Sequence, residues 1–123
     1  MEFTLKQALQ EGVEAHKAGQ VQDAERFYAA ILKAHPEHPD ANHNMGVLAV
    51  AVGKVEEALP FFKIALKSKP SKSQFWLSYI DALMKLGRLV DAQAMLGQAK
   101  DKGAKGGGFD HLEQRPYHSF GGQ

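Results

Sequence analysis

The chain has 123 residues, 44% of them hydrophobic and 24% charged, a profile that suits one ordinary globular domain. Its formal net charge is +1, so no general attraction to nucleic acid or to an anionic membrane is expected. Cysteine is absent, which excludes disulfides, thiolate nucleophiles and Cys-ligated zinc.

The elements follow in chain order. The N-terminal "MEFTLKQALQEG" is acidic and amphipathic and does not read as a secretory signal. Thr4, with Gln7 three residues on, predicts a capped helix start. Gly19 follows a helical stretch and fits a C-terminal stop. A second helix then runs toward Pro36, which cannot continue it. Next comes "MGVLAVAVGK" at residues 45–54, apolar and rich in valine. In isolation it fits a buried strand or a buried helix equally well.

An internal repeat resolves that ambiguity. "KAGQVQDA" from Lys17, "AVGKVEEA" from Ala51 and "KLGRLVDA" from Lys85 align at a spacing of 34 residues. Gly12 and Gly46, then Tyr28, Phe62 and Leu96, then Ala65 and Ala99, then Pro36 and Pro70, keep the same spacing. Gly19, Gly53 and Gly87 predict turns inside the repeats. Ala24, Ala58 and Ala92 are small enough for two helices to approach, with Gly12 and Gly46 on the opposite side. The valine-rich run is therefore expected in a helix over about 40–52, opened by Pro39.

This period and these residue types resemble the tetratricopeptide repeat. The resemblance implies an all-α, right-handed solenoid of three helix–turn–helix repeats, at about 5–38, 39–72 and 73–105. Arrays of this kind end in a capping helix, assigned to about 109–115, where Phe109 and Leu112 share a side. Residues 116–123 are expected to form a flexible tail. There are departures. Ala8 and Glu11 stand where bulky apolar residues are usual, so a polar outer cap is expected on repeat 1. Ile80 replaces the small residue in repeat 3 and should hold its helices further apart. Ala104 stands where a stop proline would be. Pro60 removes one backbone hydrogen bond inside its helix.

The resemblance further implies a concave groove lined by the first helix of each repeat, used to bind peptides or proteins. Carried over position by position, its lining is Lys6, Leu9, Val13, His16 and Lys17 in repeat 1. In repeat 2 it is Asp40, His43, Asn44, Val47, Val50 and Ala51. In repeat 3 it is Gln74, Leu77, Ser78, Asp81, Met84 and Lys85. The stripe of Leu9, Val13, Val47, Val50, Leu77 and Met84 is apolar for a solvent-facing surface, which marks a contact site. The alternative is that these side chains pack between neighbouring helices.

One subclass of the family clamps a chain-terminal carboxylate with Lys, Asn and Arg side chains. Those positions hold Leu9, Val13, Asn44, Gln74 and Ser78 here, and only Asn44 fits, so that clamp is not expected. "DANHNMG" around Asn44 also resembles repeats of O-linked N-acetylglucosamine transferases, where groove asparagines bind peptide amides. His35, His38 and His43 lie close in sequence, but no fixed-spacing ligand set accompanies them. They are read without metal, with His16 and His43 meeting as polar rim residues. No nucleophile elbow, phosphate loop or zinc-protease motif is present. The late lysines Lys63, Lys67, Lys69 and Lys72 match the preference for cations near a helix C-terminus.

The resulting expectation is a peptide- or protein-binding scaffold with no catalysis and no cofactor. It has a protein or peptide partner, no nucleic acid, no membrane, and a cytoplasmic location. Two alternatives stand beside it. One is the N-terminal recognition segment of a larger bacterial glycosyltransferase or sulfotransferase. The other is a self-assembly module in which the groove or an end face packs on another copy.

Overall fold

The computed structural model describes residues 4–103, which form six α-helices. They are α1 (Leu5–Lys17), α2 (Val21–Ala34), α3 (Pro39–Ala51), α4 (Val55–Ser68), α5 (Ser73–Lys85) and α6 (Leu89–Asp101). The capping helix expected over about 109–115 and the tail at 116–123 lie outside the described residues.

Each helix begins and ends where local chemistry places it. Thr4 and Gln7 form the capping box: the Gln7 backbone N–H donates to Thr4 Oγ1 at 3.0 Å, and the Thr4 N–H donates to Gln7 Oε1 at 2.9 Å. This satisfies two of the donors that a helix start leaves open. The inner helices all end alike. Gly19, Gly53 and Gly87 have φ of 80°, 85° and 75°, a region open to glycine at no steric cost. Beyond each glycine the next N–H returns to the last turn, from Gln20 to Ala15, Lys54 to Ala49 and Arg88 to Leu83. That bond closes the carbonyl end of the helix. The run "MGVLAVAVGK" is helical to Ala51 and breaks at Gly53. The repeat overrides the strand preference of its valines because local propensity is a weak prior.

Consecutive helices pack as antiparallel pairs, and α3 also touches α1 and α5. The helices α1, α3 and α5 thus form an inner layer. The outer helices α2, α4 and α6 stand further from one another, so the array curves with the inner layer on its concave side.

A glycine opposite an aromatic ring sets the spacing inside the first two pairs. A Cβ added at Gly12 would fall 2.4 Å from Tyr28 Cε1, and one at Gly46 would fall 2.4 Å from Phe62 Cε1. The rings sit directly on the backbone of the facing helix. Ala24, Ala58 and Ala92 are fully buried at the same crossings. In the third pair Ile80 and Leu96 replace the glycine and the ring. There α5 and α6 approach less closely than α3 and α4, as the larger Ile80 requires.

The outer end of repeat 1 differs from the polar cap expected there. Leu5, Ala8, Phe27, Ala30, Ile31 and Ala34 line an apolar depression. Its polar rim is Asp23 and Arg26, which pair with each other. The substituted Ala8 is simply small. It leaves a hollow rather than a polar surface, while Glu11 is exposed elsewhere on α1.

The packing makes a paired prediction. Gly46→Ala should destabilise by about 2–3 kcal/mol, because its methyl meets a ring held by buried neighbours. Gly97→Ala, on an open face of α6 with no atom within 4 Å, should stabilise by about 0.5–1 kcal/mol. Urea melts of both variants check the contrast.

Candidate functional site

Two side chains that the sequence reading passed over fasten the turns between repeats. Asn42 is 1% exposed, and its amide donates to the carbonyls of Pro36 at 3.0 Å and His38 at 2.9 Å. Trp76, its equivalent one repeat later, donates from Nε1 to the Pro70 carbonyl at 2.8 Å. The same turn carbonyl is held twice, by different chemistry. The signal was present: an N–H-bearing side chain stands six residues after each proline. His38 caps α3 by accepting the Ala41 N–H at Nδ1, 3.1 Å away. Among the described residues no three His, Cys, Asp or Glu side chains gather as a metal-binding group.

The inner layer places the expected groove residues as follows. Val47, Val50, Leu77 and Met84 are half-buried and rest against the core cluster of α4, α5 and α6. Leu9 rests against the cluster of Ala15, Ala24, Tyr28 and Leu48. Val13 and His16 are half-buried on α1. Asp81 accepts an ion pair from Lys85 at 2.7 Å, and Lys72 spans from the edge of α5 to Asp40 at 3.1 Å.

His43 is held in the groove wall instead of meeting His16 at a rim. It is 9% exposed. Its ring stacks on Phe75 with centroids 4.7 Å apart and is tilted against Phe62 at 5.7 Å. Both nitrogens are engaged. Nδ1 lies 3.3 Å from Asn44 Oδ1, and Nε2 lies 2.7 Å from Ser78 Oγ. An amide oxygen only accepts, so Nδ1 carries the proton and Nε2 takes the Ser78 hydroxyl hydrogen. Gln74 Nε2 donates to Ser78 Oγ at 3.3 Å. At the other end, Asn44 lines a small recess together with Tyr28. A polar chain therefore runs Gln74, Ser78, His43, Asn44 along the inner layer and ties repeats 2 and 3 together.

Burial holds His43 below the ordinary histidine range; Asn44 and Asp40 act against this and Lys72 adds to it. Burial raises Tyr28, with the Asn44 bond acting against it. Val13, His16, Lys17, Tyr28, Asn44 and Val47 enclose a small notch at the joint of repeats 1 and 2. Lys6, His16 and Lys17 have no ion-pair partner among the described residues, whereas Lys72 and Lys85 are each neutralised.

With this geometry in view, the comparisons define the class. The tetratricopeptide repeat model matches residues 15–63 and 49–106, and the chain belongs to that family. No curated protein matches it. Among solved structures, the TPR2B domain of yeast Sti1, in a complex with pHsp70, superposes with TM-score 0.82 at 19% identity. That match covers 97% of this chain and 98% of the other. The Yersinia enterocolitica type III secretion chaperone SycD, with a peptide of the translocator YopD, gives TM-score 0.78 at 19% identity, covering 94% and 88%. The Thermobaculum terrenum O-GlcNAc transferase gives TM-score 0.72 at 22% identity, covering 83% of this chain but 20% of that enzyme. These likenesses establish the solenoid fold. Among the described residues no helix is long and apolar enough to cross a membrane.

The buried imidazole carries a pH prediction. Its folded pKa lies below the ordinary 6.5, so the folded state binds the proton less well than the unfolded chain. Its contribution to stability is complete above 6.5 and is lost as pH falls through the folded value. Denaturant melts from about pH 7 to pH 5 should show stability falling, with a shallower fall in His43→Gln.

Proposed function

We propose that the protein is a peptide-binding scaffold that takes an extended partner segment along its inner helices. The observation that carries this is the half-buried apolar stripe of Val47, Val50, Leu77 and Met84, continued by Leu9 and Val13 on α1. A concave strip of partly exposed aliphatic side chains gains free energy when another chain covers it. Two structural neighbours, Sti1 in complex with pHsp70 and SycD in complex with a YopD peptide, support the general reading. The contact set is Leu9, Val13, His16, Asn44, Val47, Val50, Leu77, Asp81 and Met84, with His43 positioning Asn44 from behind. The scaffold carries out no reaction.

A second reading is favoured by the O-GlcNAc transferase match: the repeats form the substrate-recognition part of a larger enzyme. A catalytic domain encoded in the same reading frame would establish it.

Val47→Glu tests the groove. Burying an unpaired carboxylate under a bound segment is costly. Affinity for a partner recovered from the source cell should fall at least about tenfold, or 1.4 kcal/mol. The helical circular dichroism signal should persist. Lys67→Glu on α4 should bind normally. Normal binding by Val47→Glu would move the contact elsewhere.

A further inference from the structure

The outer face carries a recess of a different kind from the groove. Between α4 and α6, floored by α5, a furrow of about 450 Å³ opens toward the C-terminal ends of the two outer helices. That volume lies within the roughly 300–1,000 Å³ range of clefts that hold ligands. Its floor is apolar and aromatic. Trp76 and Tyr79 are buried there, and Met95 is half-buried. The Trp76 N–H is already given to the Pro70 carbonyl, so the ring meets the furrow with its apolar part. Three exposed cations stand on the banks: Lys63 and Lys67 on α4, and Lys102 at the end of α6. Among the described residues no acidic side chain lines the furrow, and none of these lysines takes part in an ion pair.

The fold does not require this arrangement. A helix C-terminus favours a cation, which accounts for Lys67 and Lys102 singly. Lys63 stands one turn earlier on the same face as Lys67, where like charges repel. The furrow one repeat earlier is the internal comparison. Its equivalent positions hold Ala29, Lys33 and Ser68 in place of the three lysines. Asn42 and Met45 stand there in place of Trp76 and Tyr79. One cation is left, and both rings of the floor are gone.

Cations above an apolar floor call for an occupant with both characters. A bare anion would meet the lysines and leave the floor wet. A purely apolar segment would cover the floor and leave three charges without partners. We propose that this furrow receives an acidic segment of a partner protein, in which Asp or Glu residues flank one large aliphatic side chain. The carboxylates form charge-assisted bonds to the ammonium groups, and the aliphatic group covers Trp76 and Met95. The furrow opens between outer helices, so its occupant is distinct from the segment proposed for the groove and leaves that groove free.

The test titrates four probes into the whole chain. They are acetyl-Glu-Glu-Leu-Glu-Glu-amide, its Gln-Gln-Leu-Gln-Gln and Glu-Glu-Ser-Glu-Glu counterparts, and a thymidine pentanucleotide. Trp76, the chain's single tryptophan, reports by fluorescence, and the methyls of Met95 and Val47 report by NMR. The Glu-Leu probe should change Trp76 fluorescence and shift the Met95 methyl at lower concentration than the Val47 methyls. Exposed ion pairs add little singly, so it should bind only about fivefold more tightly than each of the other three. The double variant Lys63→Gln, Lys102→Gln should erase the preference for Glu over Gln and keep its helical circular dichroism signal, since both side chains are exposed. Equal binding of the Glu-Leu and Gln-Leu probes overturns the role of the lysines. Equal binding of the Glu-Leu and Glu-Ser probes overturns that of the floor. A nucleotide that binds as tightly as the Glu-Leu probe overturns the assignment to an acidic protein segment. A preference that survives in the double variant, or shifts at Val47 without any at Met95, places the probe elsewhere and overturns the site. If no probe moves Trp76 or Met95, the furrow takes no acidic segment, and the groove reading is untouched.

Discussion

The array depends on an aromatic ring resting on a glycine. Tyr28 on Gly12 and Phe62 on Gly46 bring the two helices of a repeat closer than any pair of side chains would allow. Close-packed interiors transmit such local spacing. Once the pair is fixed, the buried alanines at 24 and 58 have room for nothing larger, and the stop glycines determine where the chain turns back. The third repeat relaxes the rule. Ile80 and Leu96 fill the crossing with aliphatic volume, and the core shifts toward Phe75, Trp76, Tyr79 and Leu83 on α5. The larger of the two core clusters lies there, so repeats 2 and 3 share one apolar body while repeat 1 keeps a smaller one.

Packing within repeats leaves the joints between them to be specified, and polar groups do this. Asn42 and Trp76 each donate to a turn carbonyl, so a buried side chain on the inner helix fixes the turn that precedes it. His43 does more. Stacked on Phe75 and bonded to Ser78, it fixes α3 against α5 through directional contacts that an aliphatic residue could not supply. Neutral imidazole suits that position, since it both accepts and donates without bringing a charge into the wall. Apolar contact supplies most of the cohesion, and the histidine chain sets the register of one repeat on the next.

Much of this was legible in the sequence. The spacing of glycines, alanines and prolines carried the helices, the turns and the residues that cross, because each depends on backbone geometry within one repeat. Thr4 and Gln7 carried the first cap for the same reason. Residues acting between repeats were harder to read. Asn42 looks like any polar helix residue until the Pro36 carbonyl is known to lie above it. His43 was read as groove rim because its angular position on α3 points that way. Its burial comes from Phe75, thirty-odd residues on, which no local pattern reports. The polar cap on repeat 1 misread substitution by alanine as polarity, whereas loss of volume beside Leu5 and Phe27 leaves a hollow.

Repetition itself produces the asymmetry of the groove. Each repeat inherits the same slots, so a difference of one atom between equivalent positions becomes a difference between one end of the surface and the other. Tyr28 and Phe62 fill the same seat on a glycine and stabilise their pairs in the same way. Only the first adds a hydroxyl, and it stands where the next repeat supplies Asn44. One repeat on, Ser78 occupies the place of Asn44 and turns to His43 instead, since Phe62 offers it nothing. The charges follow the same division. Acidic partners neutralise Lys72 and Lys85, while among the described residues the lysines of α1 have no ion-pair partner. A surface built from near-identical units thus differs from one end to the other, through single substitutions at equivalent places.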